Sequence, residues 1–319
     1  MIDASVVICA YTLDRWDDLN AAIASVRNQT CPAREIILVV DNNEALLERA
    51  GREIESVIVT ANTNVRGLCG GRMTGAGLAT APIVAFLDDD AMADERWLEE
   101  LLVPYADPRV LGVGGRIDPL WRKPRPWWFP PEFNWIVGCT YRGMRVREGG
   151  QVRNMIGANM SVRADVLHGC GGFAGQMGRI GGGKGSANTC DDTEFCIRAA
   201  KKFGGVWIYK PEAGVRHVVT AERTTWKYFL HRSRMEGSSK AMLAGLAGTK
   251  DGLASERLYV LTLARSVLGY AASGKIGQAF AICVGFAATS IAYAQARAGA
   301  AISHGSKIAS EQKRATSGT

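Results

Sequence analysis

Two acidic clusters are the residues best equipped for chemistry. "IVAFLDDDA" sets Asp88, Asp89 and Asp90 directly after an apolar run, and "DDTEFCIRAAKKFG" opens on Asp191 and Asp192. Three adjacent carboxylates repel one another unless a cation or water offsets their charge. Hard oxygen ligands of this kind suit Mg²⁺ or Mn²⁺ bridging a diphosphate. The second cluster has a competing explanation, because acidic side chains in a first helical turn are favoured by the helix dipole whatever their chemistry. Ahead of it, "GRIGGGKGSANTC" imitates a phosphate-cradling loop: Gly178, Gly183 and Lys184 fit G-x-x-x-x-G-K-[ST], but Gly185 stands where the metal-binding hydroxyl belongs. The preceding "GCGGFAGQM" is also too rich in glycine for the buried strand such a loop requires. The segment is expected to act as a mobile cover over bound substrate, with Lys184 assisting a diphosphate.

The elements that must position these groups are read from hydrophobic period. "SVVICA", "EIILVVD", "IESVIVT", "PIVAFLDDD" and "VLGVGGRI" read as strands, and helical patterns such as "DRWDDLNAAIASVRNQ", with Trp16, Leu19, Ile23 and Val26 on one stripe, lie between them. Continuously apolar strands alternating with helices predict an α/β fold, a Rossmann-like and mostly parallel sheet with helices on both faces. Ligands of such sheets bind beyond the carboxyl ends of the strands. Those ends carry Ala10 and Tyr11, then Asp41, then Asp88 to Asp90.

Residues 119–150 differ in character, with five prolines in "PLWRKPRPWWFPPEFNWIVGCTYRG" and a series of aromatics that includes Trp127, Trp128 and Trp135. Stiff loops bearing flat apolar rings serve as sugar platforms or membrane-interface anchors, and they also fold down as satellite cores. After "GVWIYKPEAGVRHVV" comes a basic segment, "WKYFLHRSRMEGSSKAMLAG", and then two apolar helices broken at "SGKIG". The uncharged stretch from Ile276 to Gln295 reaches bilayer length, yet its Ala, Gly, Ser and Thr content favours a hairpin that lies on a membrane or packs on the body. The final "SHGSKIASEQKRATSGT" reads as disordered.

A net charge of +7 favours anionic partners. The basic residues are spread along the chain without a recognised nucleic-acid motif, which argues against a nucleic-acid partner. Eight cysteines without a C-x-x-C pair read as reduced thiols, and "MIDASVVICAYTLDR" lacks the features of a signal peptide, so a cytoplasmic location is expected.

Taken together, "VVICAYTLDR", "IILVVDNN", "NVRGLCGGRMTGAG", "IVAFLDDDA", "GANMSVRADVL" and "DDTEFCIRAAKKFGGVWIYKPEAGVRH" resemble the family-2 glycosyltransferases of the GT-A fold over residues 4 to 240. The resemblance implies an inverting, metal-dependent transferase that moves a sugar from a nucleotide-diphosphate donor, by default a UDP-sugar, to a hydroxyl acceptor. It places Ala10, Tyr11, Arg15, Asp41, Arg72, Asp88, Asp89 and Lys184 on the donor side. Asp90, joined by His217, would hold Mn²⁺ or Mg²⁺. Asp192 matches the catalytic base, with Asp191 standing beside it where Glu is commoner. "PEFNWIVGCTYRGM" and "YFLHRSRMEGSSKA" are further similar to segments of polyprenyl- or dolichyl-phosphate-sugar glycosyltransferases, including glucuronosyltransferase-like members. On that likeness Trp128, Trp135, Asn159, Arg232 and Arg234 fall on the side of a saccharide or polyprenyl-phosphate-linked acceptor, and the protein works peripherally at the inner face of the cell membrane. The implied division is 1–118 for the nucleotide-sugar half, 119–240 for the acceptor and base half, 241–302 for an apolar helical appendage and 303–319 for the tail. Rival readings are a non-catalytic nucleotide-sugar-binding protein on the same fold, a nucleic-acid-binding protein, and a sugar nucleotidyltransferase, whose glycine- and lysine-rich N-terminal signature is missing.

Overall fold

A computed structural model describes residues 2–174, 190–248 and 256–316. The first half alternates as the hydrophobic pattern requires: β1 (Ala4–Ala10), α1 (Trp16–Arg27), β2 (Glu35–Val40), α2 (Glu44–Glu53), β3 (Ile58–Ala61), α3 (Leu68–Leu78) and β4 (Ile83–Asp88). β1, β2 and β4 are buried almost throughout because helices cover both faces, which is why they read as unbroken apolar runs. In α1 the buried stripe is Leu19, Ala22, Ile23 and Val26, while Trp16 stays half-buried beneath the Arg49 guanidinium. Asn43 caps α2 by accepting from the Leu46 backbone N–H at 3.0 Å. α3 lies unusually close to the sheet: a Cβ on Gly75 would sit 2.4 Å from Val7, so only glycine permits this approach.

The second half continues with β5 (Ala91–Ala93), α4 (Trp97–Leu102), β6 (Val110–Trp121), a 3₁₀ turn at Pro131–Val137, β7 (Gln151–Val152), β8 (Asn159–Arg163), α5 (Ala164–Gly169), α6 (Asp191–Phe203), β9 (Val206–Val219) and α7 (Trp226–Ala247). The sheet order is β3-β2-β1-β4-β8-β6-β9-β5, with β7 on β9. The order reverses away from β1, and there the crevice beyond β1, β2 and β4 opens. β3, β2, β1 and β4 run parallel as expected, but β8 joins β4 and β6 antiparallel and β9 pairs β5 antiparallel, so the sheet is mixed.

α8 (Glu256–Ala272) and α9 (Ile276–Thr316) form the hairpin anticipated at "SGKIG". α9 runs on to Thr316, and the Ala, Lys, Gln, Glu and Arg of this stretch are strong helix formers. The boundary drawn at 240 falls inside α7. The Pro- and Trp-rich stretch folds down as a core: Trp128 stacks on Trp226 at 4.0 Å, and Phe129, Phe133 and Phe229 pack edge-on or tilted around them.

Candidate active site

β4 ends on Asp88, and Asp90 leads into β5, whose Ala91 lies opposite His217 on β9. This antiparallel pairing brings together residues more than a hundred positions apart. His217 Nε2 lies 3.1 Å from Asp90 Oδ1 and 4.0 Å from Asp88 Oδ2. One ligand atom from each of Asp88, Asp90 and His217 falls within 4.8 Å of the others. Nδ1 of His217 faces Cys139 Sγ at 4.0 Å. Despite burial, the Asp90 carboxylate holds the imidazole proton and pushes His217 up to about 10, a proton that a bound cation would displace. Asp90 is lowered in turn: burial opposes ionisation, but His217, Arg15 and Arg223 outweigh it.

A divalent cation fits this set. Asp90 Oδ2 is buried beside Arg15 at 3.0 Å and Arg223 at 3.7 Å but makes no hydrogen bond, which leaves its lone pairs open to a ligand-bound cation. Two carboxylates and an imidazole suit Mn²⁺ or Mg²⁺, Mn²⁺ accepting nitrogen more readily. Asp88 thus lies with the cation-competent residues rather than beside Asp89. Asp89 turns inward to Arg15, with 2.9 Å between Oδ1 and the guanidinium, and burial together with the Asp90 charge pushes it up to about 7.

The remaining donor-side residues line the same edge. Asp41 is buried just past β2 and accepts from Asn62 at 2.7 Å and from the Gly67 N–H at 3.0 Å. Ala10 is buried at the end of β1, Tyr11 is exposed, and Arg15 lies 5.4 Å over its ring. Arg72, on the glycine-rich face of α3, is 3 % exposed and spans two acidic groups, reaching Asp191 at 3.2 Å and Asp88 at 3.5 Å. The cation-competent cluster and the start of α6 are therefore joined through a single guanidinium. Lys184 and the rest of the glycine-rich cover lie outside the described residues.

α6 begins with the two aspartates in different settings. Asp191 is neutralised by Arg72 and faces Cys69. Asp192 accepts from the Gly157 N–H at 3.0 Å and the Thr193 N–H at 2.6 Å. Burial, and after it the Asp191 charge, pushes Asp192 up to about 6. It borders a cavity of about 360 Å³.

That cavity is walled by the 3₁₀ turn, α7, α8 and α9, with Phe133, Leu263 and Phe286 among its apolar lining. Trp135 lines it and donates to the Tyr259 hydroxyl at 3.0 Å, and Arg232 lines it from α7. Arg234, two residues along the same helix, is exposed away from it. Trp128 and Asn159 are corrected: Trp128 belongs to the aromatic core, and Asn159 is buried in the sheet. Asn159 accepts from Trp97 at 2.8 Å and donates to the Arg116 and Ala213 carbonyls. Sequence reasoning missed Arg153, Glu236, Glu256 and Tyr259. Lys240 bridges Glu256 at 2.6 Å and Glu236 at 3.5 Å, and Arg153 reaches Glu256 at 3.0 Å, tying the start of α8 to the cavity. Only the i,i+4 spacing of Glu236 and Lys240 was readable beforehand.

Comparison with known proteins identifies the family. A model described as glycosyl transferase family 2 matches residues 5–171. A glucosyl-dolichyl phosphate glucuronosyltransferase of Haloferax volcanii is 35% identical over 243 residues, 75% of this chain and 76% of the relative. A pre-mycofactocin glycosyltransferase of Mycobacterium tuberculosis is 25% identical across 70% of this chain and 47% of its own. Among solved structures, a mannosyltransferase from Pyrobaculum calidifontis in complex with GDP-Man and Mn²⁺ superposes with a TM-score of 0.56 at 14% identity, covering 90% of this chain and 86% of its own. GalNAc-T7 with UDP, GalNAc and Mn²⁺ gives 0.53 at 19% identity, covering 76% and 51%. With the family match spanning half the chain and the nearer homology three quarters of it, this protein belongs to glycosyl transferase family 2 and is a glycosyltransferase of GT-A fold.

Proposed function

We propose that the protein transfers a sugar from a nucleotide-diphosphate donor, UDP being the first choice on family resemblance, to a hydroxyl of a polyprenyl-phosphate-linked saccharide, with inversion at the anomeric carbon. The observation that supports this reading is Arg72 spanning Asp88 and Asp191, which links the Asp88, Asp90 and His217 cluster to the start of α6, where Asp192 stands. A divalent cation held by Asp88, Asp90 and His217 would neutralise the departing diphosphate. Asp41, at the end of β2, receives the nucleoside, and the Gly67 and Asn62 donors hold its carboxylate in place.

Asp192 takes the proton of the acceptor hydroxyl. Backbone donors from Gly157 and Thr193 orient its carboxylate, and the upward shift to about 6 leaves it ionised yet basic at neutral pH. Asp191, engaged by Arg72, is the less suitable of the two. The apolar lining beside Asp192, together with the name of the Haloferax relative, supports an acceptor that carries a lipid.

A screen of UDP- and GDP-sugars by thermal unfolding, with and without Mn²⁺, tests the donor half. A donor at 100 times its Kd stabilises by about 2.7 kcal/mol. Stabilisation by no nucleotide-sugar in the presence of metal would refute the reading. The acceptor half is tested by transfer to polyprenyl-phosphate-linked glucose against free glucose.

A further inference from the structure

Over residues 276–300, α9 has two apolar faces and, among the described residues, only one of them is covered. Ala281, Ile282, Thr289 and Ala292 turn toward the body, where a Cβ on Gly237 of α7 would lie 2.2 Å from the Thr289 carbonyl oxygen. The opposite face leaves Ile276 61% and Phe280 59% exposed, the Phe280 ring meeting Trp226 edge-on at 6.0 Å along one side, and Ile291 is exposed as well. α8 repeats the arrangement: Tyr259 and Tyr270 face inward to the Glu132 carbonyl and carboxylate, while Leu261 and Leu268 point outward, Leu268 at 71% exposure. Because both helices rest on the body by their inner faces, both outer faces look away from it.

Charge says what covers them. From Arg257 to Ser310 the sequence has no Asp or Glu, yet it carries Arg257, Arg265, Lys275, Arg297 and Lys307. Glu256, at the start of α8, is turned inward to Arg153 and Lys240. Trp127 is 75% exposed and packs on Gly277 at the turn between the helices, the amphipathic ring expected at a headgroup boundary. Apolar outer faces with basic residues and no acidic ones complement an anionic lipid leaflet.

Ile276–Ala300 is long and apolar enough to cross a bilayer. A span would have to leave α7, whose Arg232, Glu236 and Lys240 line the cavity that α9 also walls, or carry those charges into hydrocarbon. We propose that α8 and α9 lie in the plane of an anionic leaflet, their outer faces at the acyl boundary and their inner faces roofing the cavity beside Asp192. This inference is independent of which sugar is transferred.

The test is co-flotation of the full chain with phosphatidylcholine vesicles with and without phosphatidylglycerol. Binding is expected to be at least about tenfold stronger with the anionic lipid and to fall at least about tenfold in Leu268→Glu/Phe280→Glu. Arg265→Glu/Lys275→Glu, confined to exposed charges, should abolish the preference for the anionic lipid. Alkaline carbonate should release the protein from native membranes. Resistance to carbonate extraction would overturn the in-plane arrangement in favour of a span. Absence of vesicle binding, with a dimer that the Leu268→Glu/Phe280→Glu variant dissociates, would make a second copy the occupant. Donor-induced thermal stabilisation, recorded on the same variants, separates failure of this proposal from failure of the transferase reading.

Discussion

The two carboxylate centres of the cleft are assembled in different ways. Asp41 and Asp88 sit at the ends of β2 and β4, the parallel strands that flank β1, so β-sheet register alone brings them to one edge. Asp192 instead depends on α6 being docked by Arg72 and Gly157, and its cavity depends on six segments scattered between residues 133 and 293. The proposed donor side is therefore set by topology, whereas the proposed acceptor side is set by long-range packing and buried ion pairs. Damage should separate accordingly: substituting a carboxylate of either centre should cost ligand or chemistry without the fold, and substituting the packing beneath the second should cost stability.

Asp192→Asn gives the sharpest contrast. Removing a general base should lower kcat by about 10²–10⁴-fold while donor-induced thermal stabilisation persists. Equal loss of both would show that Asp192 holds the donor. On the packing side, Trp128→Ala should cost about 3–5 kcal/mol of unfolding free energy in urea titration, because the ring is buried against Trp226 and Phe229. A cost under about 1 kcal/mol would mean that the aromatic cluster is not a core. Asp90→Asn should remove the roughly 2.7 kcal/mol of metal-dependent donor stabilisation and leave the unliganded melting temperature within a few degrees.

A smaller effect comes with pH. Asp192 must be ionised to accept a proton, and burial raises it to about 6, so kcat should fall about tenfold per unit below pH 6 and level off above it. A profile flat down to about pH 5 would assign the base elsewhere. The smallest effect belongs to Arg234→Ala. This exposed residue should change stability by under about 0.5 kcal/mol and leave transfer unchanged in the same assays.

The strand-end residues were legible because parallel strands buried on both faces announce themselves by composition, and the residues just past each strand lie at the ligand-binding edge. His217 was legible only as a lone histidine after "EAGVR". Its partnership with Asp90 comes from the β5–β9 pairing, which local pattern does not encode. Trp128 and Asn159 misled for a related reason: an aromatic or an amide has the same sequence signature whether it meets a ligand or satisfies the interior.

The sequence by itself determined the alternating first half, the carboxylates at its strand ends, the helix that begins at Asp191 and the apolar hairpin, because each is written in residues close together along the chain. Tertiary structure alone decided that Asp88 sides with Asp90 and His217 while Asp89 turns to Arg15, that Arg72 neutralises Asp191 and leaves Asp192 for the cavity, and that α9 is covered on one face only. Those outcomes depend on which distant charges and surfaces come within a few ångströms, a property of the folded chain rather than of any segment.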